Sequence, residues 1–127
     1  MIYERTNNRA ICQHLDTSSR CWRIETATTN QEQDRGLGGR SHLDQDQAMI
    51  FLFEQAGSHG FWMKDMHFPI DIIWLDDKKS IVHIEKSVSP DSYPTVFSSP
   101  TPARYVIEVV AGTSELLSWD IGTTLQF

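Results

Sequence analysis

The sequence predicts a mainly β protein, a sandwich or barrel of six to eight short strands with one short helix. Three observations carry that expectation. Short apolar or alternating runs recur along the chain with turn signals between them. Only one segment has a helix-like pattern, so a parallel α/β sheet lacks the crossovers it needs. Four of the five prolines (Pro90, Pro94, Pro100, Pro102) fall in one serine-rich stretch, which excludes strand there and marks a long ordered loop or lid over residues 88–103.

Each element follows from local pattern. Residues 21–27 (CWRIETA) alternate polar and apolar side chains, as a half-buried strand does. Thr29 or Asn30 caps a short helix over QEQDRGL, with Glu32 and Asp34 near its positive end, and Gly36, Gly38 and Gly39 stop it. Residues 48–53 (AMIFLF) are apolar on both faces, which suits a central strand. Residues 70–76 and 81–85 flank the polar DDKKS and form a hairpin. Residues 104–111 return to strand, Gly112 breaks it, residues 114–119 form about one helical turn, and residues 123–127 are a closing strand.

At 127 residues the chain fits one domain, 1–127, large enough for a real core. Eleven Lys and Arg against 17 Asp and Glu give a net charge of −6. No block of five like charges occurs, so neither nucleic acid nor an anionic membrane is an expected partner. The polar N-terminus has no secretion-type apolar run and no stretch is long enough to span a bilayer. The default expectation is a soluble, cytoplasmic protein without membrane insertion, an exported mature form being the alternative. Cys12 and Cys21 flank QHLDTSSR. They are read first as reduced thiols; the alternative is a disulfide across a hairpin, which calls for an oxidising compartment. Spacing offers no metal signature among the cysteines or the five histidines, no nucleophile elbow around Ser98 and Ser99, and no phosphate loop at Gly36, so no metal or cofactor is expected.

Strand parity isolates two carboxylates. In residues 70–75, Ile70, Ile72 and Trp74 share one face and Asp71, Ile73 and Leu75 the other. In residues 104–110, Glu108 interrupts a face of Val106 and Val110. A buried carboxylate needs a partner or a shifted pKa. The candidate donors are Arg40, Lys64 and Arg104, and Trp62 lies beside Lys64 in a turn-rich stretch.

These residues fall within blocks that resemble the domain of unknown function 192 family, found widely in prokaryotes. The blocks are IETATTNQEQDRGLGGR, AMIFLF, FWMKDMHFPIDIIWLDD, the proline–serine loop and PARYVIEVVAG, in that order. The resemblance covers residues 22–127 and implies a jelly-roll-like sandwich or barrel with a helix at its side. It also marks Glu25, Arg40, Lys64, Asp71 and Glu108 as polar positions, and Gly36, Trp62, Met63, Pro69 and Gly112 as small, apolar or turn positions. Two departures stand out. A methionine and an aromatic usual before the arginine are replaced by Gly38 and Gly39, and the acid of a C-terminal Gly-Asp pair is Thr123 here.

The leading functional expectation is a non-catalytic domain that binds a small polar ligand, a saccharide for example, through Arg40, Trp62, Lys64, Asp71 and Glu108, with Glu25 in support. The alternatives are a protein-interaction module and a small hydrolase-like enzyme using Asp71 or Glu108 as general base.

Overall fold

A computed structural model describes residues 12–127. Five strands form one mixed sheet in the order β1-β2-β5-β3-β4: β1 (Arg23–Ala27), β2 (Gln47–Gly57), β3 (Ile70–Leu75), β4 (Ile81–Val88) and β5 (Ala103–Val110). Two short helices accompany it, α1 (Asn30–Arg35) and α2 (Thr113–Leu116). Among the described residues the sheet does not close: β1 and β4 are its two edges. The expected sandwich or barrel of six to eight strands is therefore replaced by five strands in one open layer.

α1 explains part of the difference. β1 and β2 pair in parallel, Arg23 opposite Gln47 through Ala27 opposite Phe51, and a parallel pair requires a crossover. α1 lies within that crossover. Thr29 caps it through a capping box: the Thr29 hydroxyl accepts from the Glu32 amide at 3.1 Å, and Glu32 Oε1 accepts from the Thr29 amide at 3.1 Å. Gly36 ends it at φ +50°, a left-handed backbone that favours glycine. The other contacts within the sheet are antiparallel.

Both faces of the sheet are covered. One carries Met49, Phe51, Ile72, Trp74 and Val106, packed against Leu37, Leu43 and Met63. The other carries Ile50, Ile73, Leu75, Ile107 and Val109, packed against Leu15, Trp22, Trp119 and Leu125. Burial on both sides explains why β3 is apolar apart from Asp71. β4 ends at Val88 and β5 begins at Ala103, and the loop between them contains no strand; Phe61 and Phe97 exchange backbone hydrogen bonds at 2.7 and 2.8 Å, which ties the loop to the segment preceding β3. The expected closing strand at 123–127 is reduced to one bridge, Ser80 with Thr124.

Cys12 and Cys21 form a disulfide with Cα atoms 5.1 Å apart, which overturns the reading as reduced thiols. The hairpin geometry accounts for it, since the Trp22 amide donates to the Gln13 carbonyl at 2.9 Å beside the bridge. Among the described residues no helix is long and apolar enough to cross a membrane.

Candidate functional site

Glu108 stands in the middle of β5, opposite Met49 on one neighbour and Ile72 on the other. Its side chain is 4% exposed. No hydrogen bond or ion pair compensates it among the described residues; burial alone acts on its carboxyl and pushes it up to about 8. At neutral pH the group therefore holds its proton and offers one donor and an acceptor.

The carboxyl faces a cleft of about 460 Å³, within the usual size range of small-ligand sites. Phe51, Phe61, Trp62 and Met66 give it apolar walls, and Gln33, Asp34, Arg35 and Lys64 give it a polar rim. Gly36 keeps it open. A Cβ there would stand 3.3 Å from Phe51 Cζ and 3.7 Å from Glu108 Oε1. Trp62 is 43% exposed and packs obliquely on Tyr93 of the 88–103 loop, ring centroids 5.2 Å apart. Lys64 Nζ lies 5.8 Å from the centre of the Trp62 ring.

Of the sequence-predicted set, the cleft brings together Trp62, Lys64 and Glu108. Asp71 is not with them. It is fully buried on the opposite face, where it accepts from the amides of Ser87 (2.8 Å), Gly112 (3.3 Å) and Ser114 (2.9 Å) and from the Ser114 hydroxyl (2.8 Å). Those bonds fasten β3 to the irregular end of β4 and to the start of α2. They correct the expectation of Asp71 as a ligand-binding residue or base, because every bond it makes goes to the fold and none faces the cleft.

Arg40 and Glu25 pair with each other. The guanidinium donates to both carboxylate oxygens at 2.6 and 2.8 Å, which lowers the Glu25 carboxyl and raises Arg40. Neither lines the cleft. Glu25, Met49 and Glu108 fall on one row across the sheet, so Met49 separates the ion pair from the cleft floor. The proposed donor Arg104 is also occupied elsewhere, donating to the Phe53 carbonyl.

Sequence reasoning missed Asp34, Arg35, Phe51, Phe61 and Met66 as site residues. Parity offered one usable signal: Met49, Phe51 and Phe53 share a face of β2. A larger groove of about 1000 Å³ runs past Ile24, Leu52, Tyr105 and Phe127. Its cations Lys79 and Arg104 already donate to backbone carbonyls, whereas the smaller cleft holds the unpartnered buried acid. Among the described residues no group of three His, Cys, Asp or Glu is placed to hold a metal ion.

Fold and site together define a small, mainly β protein with an apolar-walled cleft over a buried carboxylic acid. The chain belongs to the domain of unknown function 192 family, described as uncharacterized ACR, which it matches over residues 12–127. Two crystal structures are similar. One, called a "putative transcription regulator", is from Sinorhizobium meliloti 1021, with 28% identity, 89% of each chain covered and a TM-score of 0.82. The other, a protein of unknown function from Novosphingobium aromaticivorans DSM 12444, has 27% identity and a TM-score of 0.81, covering 89% of this chain and 82% of that one. Comparison with curated proteins gave no match.

Proposed function

We propose that this protein binds a small, hydroxyl-rich polar ligand, with saccharides as the leading class, in the cleft above Glu108 and without catalysis. The observation that carries the reading is Glu108 itself. Its carboxyl makes no hydrogen bond to the protein and lines the cleft, so its donor and acceptor are available to a ligand there. Trp62 supplies an exposed aromatic face for the ligand's apolar side, and Lys64 a donor at the rim. Support comes from the site alone. Sugar binding by jelly-roll folds is an analogy of architecture, and the open sheet does not supply that architecture. A net charge of −6 gives no support to phosphate contacts with nucleic acid.

One observation favours a second reading. A carboxylic acid that keeps its proton at neutral pH in a solvent-connected cleft suits a general acid, so an enzyme would use Glu108 and not Asp71.

A thermal-shift and NMR titration screen against sugars and small anions tests both. The binding reading expects stabilisation by a member of the panel, lost in Glu108→Gln and weakened in Trp62→Ala and Lys64→Ala. Absence of any stabilising ligand, or unchanged binding in all three variants, overturns it. Ligand turnover that disappears in Glu108→Gln replaces it with the enzyme reading.

A further inference from the structure

The Glu108 cleft does not end at Lys64. Asp34, Arg35 and Lys64 line both the cleft and an adjoining open shelf of about 850 Å³. Two main-chain segments build that shelf. The arm after α1 runs low through Gly38 and Gly39, and the Gly39 amide donates to the Asp65 carbonyl at 2.9 Å, holding the arm against the turn that carries Lys64 and Asp65. A Cβ at Gly39 would meet nothing within 4 Å, so the space above the arm is unfilled. The exposed His67 and Gln31 also line it and take no part in the Glu108 cleft.

The polar groups here are mixed and free. Arg35 and Lys64 donate, Asp34 and Asp65 accept, and none of the four takes part in an ion pair among the described residues. An anion on this shelf would face two carboxylates, and a cation would face two cations. A hydroxyl donates and accepts through one atom, so a chain of hydroxyls satisfies both sets at no net charge. Glu108, at the inner end, has the same dual character.

We infer that the site is elongated and takes a neutral oligosaccharide of at least two rings, one ring over Glu108 beside the exposed Trp62, the next across Lys64 on the Gly38 and Gly39 shelf. This rests on the reading of the Glu108 cleft as a binding site and adds the length and charge of the ligand. Lys64 is then the junction, its ammonium within reach of hydroxyls on both rings.

The test is a chain-length series. The protein is titrated by NMR and calorimetry with glucose, maltose and maltotriose, and with the cello- and chito-series of the same lengths. In a series that binds, the two-ring member is expected to bind roughly tenfold more tightly than its monosaccharide. Replacing these two shelf residues by His67→Ala and Gln31→Ala should remove most of that gain and leave the monosaccharide unaffected. Equal affinities for one and two rings, with monosaccharide binding still lost in Glu108→Gln, overturn the elongated site and leave the cleft reading standing. Binding by no member of any series overturns both.

Discussion

Asp71 and Glu108 lie on directly paired strands, with Asp71 opposite Val109 and Ile72 opposite Glu108, and their carboxyl groups leave the sheet from opposite faces. One step of register separates a group that fastens the fold from a group that faces a cleft. The two environments differ as much as their positions. Asp71 accepts four hydrogen bonds, whereas Glu108 has a proton in place of a partner.

The first prediction follows from the Asp71 bonds. Asp71→Ala leaves buried or part-buried amides of Ser87, Gly112 and Ser114 without their acceptor. The expected cost is roughly 3 kcal/mol or more in urea unfolding. A loss below about 1 kcal/mol would show that these amides find other partners, and that the carboxylate is not what fixes α2 against β3.

The outcome at these two residues also marks how far the sequence was legible. Parity within a strand is local, so it singled out both acids as anomalies among apolar neighbours. Pairing register is not local, and a single slip turns every side chain to the other face; nothing in the residues of β3 and β5 said that Asp71 and Glu108 would part. The same limit applies to Arg40 and Glu25, 15 residues apart, which meet only because the arm after α1 folds back over β1. Local signals fared better. The cap at Thr29, the Gly36 stop and the hairpin at 76–80 are all present. The parallel pairing of β1 with β2 was not legible, because one short helix gave no sign of being a crossover.

Arg40 and Lys64 are predicted to separate in function. The Arg40–Glu25 pair is bidentate but substantially solvent-exposed, at 34% and 46% of the side chains, so screening keeps its worth at about 1 kcal/mol or less. Arg40→Ala should cost no more than that in unfolding and leave binding in the Glu108 cleft unchanged, while Lys64→Ala weakens binding with stability nearly intact. Loss of ligand affinity in Arg40→Ala at unchanged stability would put Arg40 back in the site.

The disulfide yields a prediction with a direct chemical readout. Cys12 and Cys21 are separated by nine positions, and closing a loop of about that size in the unfolded chain is worth roughly 2–3 kcal/mol. Protein prepared without reductant and then denatured should show no free thiol. Reduction, or the pair Cys12→Ser with Cys21→Ser, should lower the unfolding midpoint by the corresponding amount. Two titratable thiols in the untreated protein would contradict the bridge.

The last prediction uses the proton on Glu108. Burial raises this carboxyl from its ordinary 4.5 to about 8 in the folded protein, while the unfolded chain exposes it to water. Below pH 4.5 both states are protonated and the residue adds no pH dependence. Between 4.5 and 8 the folded state binds the extra proton, so unfolding releases it and stability falls as pH rises. Above 8 both states are ionised and the full cost of a buried charge remains. Glu108→Gln keeps the shape and removes the titration. Urea midpoints for the two proteins should lie close together near pH 4.5 and diverge steadily up to pH 8, with the glutamine variant the more stable at the alkaline end; above that the gap should stay constant. Curves that run parallel across the whole range would mean that Glu108 ionises normally in the folded protein, with water or a counter-charge reaching it. The neutral donor on which the cleft's ligand chemistry depends would then not exist.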